Sequence, residues 1–300
     1  MKILAIIATY NGYEWIDYCL GSLLASEEPV DIICIDNNSN DNTATLITEK
    51  YPNVQLIKNK TNIGFGKANN IGLRKCIKEN YDYAFLLNQD ARIEMDTISK
   101  LISAHKRNKE YGILSPIHRS ITNDTLDYNF SMYLKADNTQ NIVTDHILGN
   151  KIKEVYETNF VNAALWLISN ECLQKIKIFD PDFPHYGEDD DFIFRAINND
   201  FKVGIVPAAK GNHARYKVEN ANIKEDFNSR INRNYVNLLI KYKKNQHPPL
   251  RKNILFTRLF LIDIISNLIM LDFYSFKQNL IIYTKLLRKM FFLKPPFNLT

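Results

Sequence analysis

The chain has 300 residues, 45% hydrophobic and 24% charged, with a net charge of +5. That length fits one large domain, or one domain with an appendage, and the apolar content excludes a disordered or collagen-like chain. The four cysteines, Cys19, Cys34, Cys76 and Cys172, have no metal-type spacing and read as reduced thiols of a cytosolic protein.

In chain order, the first apolar run, 3–8, is too short for a signal peptide and ends in the turn Thr9-Tyr10-Asn11-Gly12, so it is expected as a buried strand. Further strands are expected at 31–35, 54–58, 83–87 and 112–115. Helical patterns fall between them near 13–25, 40–50, 66–79 and 95–108. This alternation predicts an α/β fold with a mainly parallel, doubly wound sheet. Residues 116–158 are polar and weakly patterned, and are expected as loops and short strands. A strand at 160–168 and a short helix at 169–176 follow. An acidic helix then runs to about Asn199, a strand covers 201–206, and His213 is expected in a loop. A long helix is expected over roughly 222–245, ended by His247-Pro248-Pro249.

Ligands of such sheets bind beyond the carboxyl ends of the strands. Three polar clusters fall there: Thr9-Tyr10-Asn11, Asp36-Asn37-Asn38-Ser39 and Asn88-Gln89-Asp90. A fourth signal is His185-Tyr186-Gly187-Glu188-Asp189-Asp190-Asp191. Adjacent carboxylates repel one another, and a helix N-terminus favours only one or two of them. Asp191 and Arg195, four apart, are expected to pair on one helical face. Asp36 alone also reads as an ordinary Asx-turn, and the glycines of Asn62-Ile63-Gly64-Phe65-Gly66-Lys67-Ala68-Asn69-Asn70-Ile71-Gly72 alone also read as a tight turn. They lie too late in the chain for a dinucleotide fingerprint, which follows the first strand.

In this order and spacing, the motifs from Ala8-Thr9-Tyr10-Asn11-Gly12 to His213 resemble family 2 glycosyltransferases of the GT-A nucleotide-diphospho-sugar transferase fold, nearest their rhamnosyltransferase-like branch. The resemblance implies a catalytic domain over 1–220, with a nucleotide-binding half (1–115) and an acceptor half (116–220). It implies nucleotide and donor binding by Thr9, Tyr10, Asn11, Asp36, Asn38, Asn62, Gly64, Lys67, Asn69, Asn88 and Asp90. Asp189 would be the general base, Glu188 would orient the acceptor, and Tyr186 and Trp166 are expected at the acceptor. Asn88-Gln89-Asp90 occupies the place of the family's Asp-X-Asp signature. With Asn88 replacing the first carboxylate, Mg²⁺ or Mn²⁺ would rest mainly on Asp90, with His213 as a second ligand.

Residues 241–300 carry eleven Lys/Arg against Asp263 and Asp272, about +9, leaving 27 basic and 31 acidic residues elsewhere. This helical, basic, amphipathic region (221–300) is expected to meet an anionic inner-leaflet surface rather than nucleic acid. In its last segment Lys277, Lys285, Arg288 and Lys289 oppose Leu280, Tyr283, Leu287 and Phe291. Just before it, Leu261, Ile264, Ile265 and Leu268 oppose Asp263, Ser266 and Asn267. Packing on the catalytic body or in a homodimer is the competing expectation. The functional expectation is therefore an inverting glycosyltransferase at the cytoplasmic membrane face, transferring from dTDP-rhamnose or a UDP-sugar to a lipid-linked or cell-surface glycan. The alternative is a catalytically inactive nucleotide-sugar-binding or scaffold protein.

Overall fold

The computed structural model describes residues 1–183, 186–214, 227–245 and 247–292. His185, Lys294 and the start of the long helix expected at 222–245 lie outside them. So do the side chains of Lys289 and Phe291. The chain divides into two compact units, Met1–Lys217 and Val218–Thr300.

The first unit opens with β1 (Ile3–Thr9), α1 (Tyr13–Leu24), β2 (Asp31–Asp36), α2 (Thr43–Lys50), β3 (Gln55–Lys58), α3 (Phe65–Lys78), β4 (Tyr83–Leu87), β5 (Ala91–Ile93) and α4 (Thr97–Arg107). It continues through β6 (Tyr111–Arg119), α5 (Tyr128–Tyr133), α6 (Ile142–Leu148), β7 (Tyr156–Glu157), β8 (Leu165–Ser169), α7 (Asn170–Ile176), α8 (Glu188–Ile197) and β9 (Lys202–His213). The sheet order is β3-β2-β1-β4-β8-β6-β9-β5, with β7 also paired to β9.

The first four of these strands are parallel to one another. β8 then runs antiparallel between β4 and β6, whereas β9 is parallel to β6 and antiparallel to β5. The expected mainly parallel sheet is thus a mixed one. Along β1, Ile3, Ala5 and Ile7 enter one core, with α1, α2 and α4. Leu4 and Ile6 enter the other, with α3, α7 and α8. Strand alternation makes each central strand face two helical layers. Gly72 lets α3 lie close on β1, since a Cβ there would meet the Ile6 Cγ2 methyl at 2.6 Å.

Two boundaries differ from expectation in ways that matter for the site. The short β5, with only three residues, was too brief to leave a periodic signal. It pairs with a β9 that extends to His213, so His213 ends a strand rather than sitting in a loop. The polar excursion supplies α5 and α6. All four cysteines are buried and unpaired.

The second unit contains α9 (Phe227–Lys244), α10 (Pro249–Ile269) and α11 (Phe273–Phe292). Pro249 opens α10 at a position where its missing N–H costs nothing. Tyr283 donates to Asp263 at 2.8 Å across α10 and α11, and Ile282, Tyr283, Leu286 and Met290 are buried. These residues of α11 therefore pack inside this unit, whereas Leu280, expected beside Tyr283 on the apolar side, is 42% exposed. On α10, Phe256 is buried and Phe260 lies against the Tyr283 ring at 4.9 Å. Asp263 turns to α11, while Leu261, Ile265 and Ile269 are 52%, 54% and 76% exposed. Among the described residues no helix is long and apolar enough to cross a membrane.

Candidate active site

The carboxyl ends of β1, β2 and β4 lie at one edge of the sheet, in register Thr9 to Asp36 and Ile6 to Leu86. At that edge Asp36 is buried. It accepts from the Thr9 hydroxyl at 3.1 Å, from the Ser39 hydroxyl at 2.5 Å and from the Ser39 N–H at 3.1 Å. Ser39 in turn accepts from the Asn11 N–H at 2.9 Å, and Asn11 accepts from the Asn40 N–H at 2.8 Å. Asn11 and Asn38 hold positive φ angles, 47° and 65°, a conformation asparagine tolerates better than most residues. The two loops thus lock one another. Tyr10 is left exposed at their rim.

Gln89, which the sequence reading passed over, ties this loop to the next. Its side-chain oxygen accepts from the Tyr10 N–H at 2.8 Å and its amide donates to the Tyr10 carbonyl at 3.0 Å. A Cβ at Gly12 would meet the Gln89 side-chain oxygen at 2.3 Å, so a larger residue there would displace that amide.

The glycine-containing segment divides into structural and open positions. Asn62 accepts from the Gly64 N–H at 2.9 Å, which shapes the turn in which Gly64 has φ 83°. Asn69 is buried and donates to the Phe65 carbonyl at 3.0 Å, within its own helix. Asn70 clamps Phe179 through both backbone groups, at 2.8 and 2.9 Å. Lys67 is exposed at the first turn of α3.

Beyond β4, His213 is 5% exposed, with Nε2 at 3.4 Å from Asp90 Oδ1 and 3.3 Å from the Asn88 amide nitrogen. Its Nδ1 lies 3.7 Å from Asp127 Oδ2 and makes no hydrogen bond. Asp127 also caps α5, accepting from the Phe130 N–H at 2.8 Å. Its capping position was the only signal it left in the sequence, and nothing tied it to His213 before the chain folded. Among the described residues no group of three or more His, Cys, Asp or Glu side chains forms a ready-made metal site. One carboxylate and one imidazole nitrogen facing each other do fit a divalent cation whose remaining ligands come from a diphosphate and water. Asp90 and His213 are that pair.

The acidic helix α8 begins after two left-handed residues, Tyr186 at φ 66° and Gly187 at φ 82°. Arg195 donates to Asp191 at 2.8 Å and to the Ile176 and Ile178 carbonyls at 2.6 and 2.9 Å. Asp191 is therefore half of the expected structural pair. Glu188 is 6% exposed, and one carboxylate oxygen has no hydrogen-bond partner. Burial, reinforced by Asp189 and Asp190, pushes its pKa up to about 7. Asp189 is raised to about 6 by burial and by the charge of Asp190, against backbone N–H groups, Ala163's among them, that favour its ionised form. Ala164, the next residue, accepts from the Asn88 N–H at 2.9 Å.

Tyr186 is 73% exposed at this rim. Trp166 is a correction. It is fully buried, clustered with the rings of Phe179 and Phe192 at 6.3 and 5.8 Å, and belongs to the core rather than to an acceptor surface. Its place on a central strand, facing α8, gives it the packing role its size suits.

An acidic, amide-lined edge on a mixed α/β sheet carries the carboxylate–imidazole pair Asp90 and His213, and the start of α8 carries the buried carboxylate of Glu188. The profile of Glycosyl transferase family 2 matches residues 4–165, and the chain belongs to that family. An N-acetylglucosaminyl-diphospho-decaprenol L-rhamnosyltransferase of Mycobacterium tuberculosis is 31% identical over 127 residues, 39% of this chain and 41% of the relative. The chain thus aligns with less than half the length of that protein. A dTDP-rhamnosyl transferase, RfbF, of Shigella flexneri is 24% identical over 216 residues, 71% of this chain and 69% of the relative. Among solved structures, Staphylococcus aureus TarS 1-349 in complex with UDP shares the fold with a TM-score of 0.59 and 18% identity, covering 84% of this chain and 69% of that one. The mannosyltransferase PcManGT of Pyrobaculum calidifontis, in complex with GDP-Man and Mn²⁺, gives 0.57 and 16%, covering 98% and 76%.

Proposed function

We propose that this chain transfers a sugar, with inversion, from dTDP-rhamnose or a UDP-sugar to a lipid-linked or cell-surface glycan, with Asp189 as general base. The observation that carries this reading is the half-buried Asp189 in the first turn of α8, where burial and the neighbouring Asp190 charge make it a stronger base. A carboxylate raised to about 6 is still mainly ionised at neutral pH and is a stronger base than an ordinary aspartate. It would take the proton of the acceptor hydroxyl. The hydroxyl oxygen then bonds to the anomeric carbon from the face opposite the diphosphate. The bond to the diphosphate breaks with its electron pair on the leaving oxygen.

The Asp36 cluster with Thr9, Asn11 and Ser39 would hold the nucleoside, with Tyr10 at its rim. The first turn of α3, with Gly64 and Lys67, suits the diphosphate, because helix N-termini favour anions. Glu188, next to the base, would position the acceptor, with Tyr186 at the rim. Asp90 and His213 would hold Mg²⁺ or Mn²⁺, which when bound offsets diphosphate charge. Two relatives named for rhamnosyl transfer support dTDP-rhamnose, the neighbour with UDP supports a UDP-sugar, and the decaprenol-linked acceptor of one relative supports a lipid carrier. The exposed apolar side of α10, with Arg251, Arg258, Lys277 and Arg288 exposed in the same unit, supports contact with an anionic cytoplasmic leaflet.

Asn88 in place of a first carboxylate favours a second reading, a nucleotide-sugar-binding scaffold without turnover. The two are separated by incubating the full chain with dTDP-rhamnose or UDP-sugars, Mn²⁺ and a short-chain prenyl-diphosphate-linked acceptor. Transfer with inverted product, lost in Asp189→Asn, supports catalysis. Nucleotide binding without transfer from any donor supports the scaffold.

A further inference from the structure

The strip formed by β6, β9 and β5 has two faces. Ala91 pairs with His213 and Arg92 with Asn212, while Arg119 pairs with Asn212 on the other side. Neighbouring residues of a strand point to opposite faces. The face that carries His213 meets Asp90 and Asp127. On the reverse face, Arg92, Asn212 and Arg119 stand side by side. There they line a cleft of about 400 Å³ with Tyr18 and Ser22 of α1, Glu94 and Asn123.

The polar groups of this cleft are unevenly satisfied. Asn212 is buried, and its amide donates to the Ser120 carbonyl at 2.6 Å and to Asn123 Oδ1 at 2.5 Å. Its oxygen accepts from Arg92 Nε at 3.2 Å. Arg92 lies over the Tyr18 ring, 4.9 Å from its centroid, and has no carboxylate partner among the described residues. Arg119 pairs with Glu94 at 2.5 Å, yet its buried Nε donates to nothing. The Tyr18 oxygen lies within reach of Arg92, but the buried hydroxyl makes no well-formed hydrogen bond, and burial raises its pKa against the Arg92 and Arg119 charges, which keeps its proton on. Asp17, the other acid at the cleft, is engaged by Lys50 at 2.6 Å and Tyr51 at 2.7 Å.

Guanidinium groups can only donate, and a protonated phenol beside them donates as well. The missing partner is therefore an acceptor, and the unpaired Arg92 charge makes it an anion. Three donor groups suit a tetrahedral oxyanion better than a flat carboxylate, and arginine forks match phosphate oxygens. We propose that this cleft is a second ligand site, back to back with the Asp90–His213 pair, that takes a phosphate or diphosphate group through Arg92, Arg119 and Tyr18. It stands independently of the transfer reaction proposed above. Its occupant is either a free phosphate species or the diphosphate of a prenyl carrier.

The test is calorimetric titration of the full chain with inorganic phosphate, pyrophosphate and geranyl diphosphate, without divalent metal. The expected result is binding of pyrophosphate or geranyl diphosphate, weakened about tenfold in Arg92→Met and in Arg119→Met and unchanged in Asp90→Ala. Preference for geranyl diphosphate assigns the lipid source, and preference for pyrophosphate the free one. Metal-dependent stabilisation of Arg92→Met by dTDP or UDP, equal to that of wild type, shows that the variant is folded and its donor site intact. Absence of binding to wild type, equal binding by both arginine variants, or binding that needs Asp90 would overturn the proposal.

Discussion

Asp189 and Glu188 are neighbours with different surroundings, which suit the different roles proposed for them. Asp189 is half-buried and accepts from the Asp190 N–H at 3.0 Å, whereas Glu188 is 6% exposed and keeps one unpartnered oxygen. Replacing Asp189 by Asn should lower turnover by about 10²–10⁴-fold with little change in nucleotide affinity. In wild type, kcat should rise with pH through about 6 as Asp189 loses its proton. A flat profile between pH 5 and 7, with chemistry rate-limiting, would rule the base out. Glu188 makes the opposite kind of prediction, one about stability. Its folded pKa of about 7 lies above its ordinary 4.5. Between those values the native chain holds a proton that the unfolded chain has released, so its contribution falls as pH rises and levels off above about 7. Glu188→Gln should therefore be more stable than wild type at pH 8, by about 1–3 kcal/mol, and gain little at pH 4. Denaturant titrations at the two pH values check it.

The elements carry the site because their ends are locked to one another. Asn70 on α3 holds both backbone groups of Phe179, which lies just ahead of the acidic segment. Asn70→Ala leaves those groups buried and unpaired, and should cost about 1–3 kcal/mol in urea unfolding. An unchanged midpoint would show that the clamp is incidental. The long strands, the helices between them and the acidic start of α8 were legible in the sequence because each has its own period or its own cluster of like charge. β5 was not, since three residues show no period, and the extension of β9 to His213 depends on β5 as its partner. Trp166 was misplaced because an aromatic on a central strand looks the same in sequence whether it faces a ligand or Phe179 and Phe192. Asp127 and Gln89 act through partners 86 and 79 positions away. Such pairings exist only in the fold.

At the scale of the molecule, the basic surplus of the last sixty residues was legible from composition, but the sidedness of the helices was not. Ile282, Tyr283, Leu286 and Met290 of α11 are covered within their own unit, while α10 turns Asp263 inward to Tyr283 and exposes Ile265 and Ile269. Ile265→Glu with Ile269→Glu should weaken binding to phosphatidylglycerol vesicles by about tenfold or more, and raised salt should weaken wild-type binding too. Vesicle binding unchanged by the double substitution, together with dissociation of a dimer, would assign the face to a second copy instead.

The edge formed by Asp36, Asp90 and His213 is proposed to bind a nucleoside diphosphate with a divalent metal. The most direct test is thermal unfolding of the full chain with UDP, dTDP, GDP and CDP, each with and without Mn²⁺ or Mg²⁺. The account predicts that dTDP or UDP stabilises the protein only with metal, by about 2.7 kcal/mol at about 100 times its Kd, and that Asp90→Ala abolishes the effect. A wild-type protein that unfolds cooperatively and responds to none of the four nucleotides, with either metal, would contradict it.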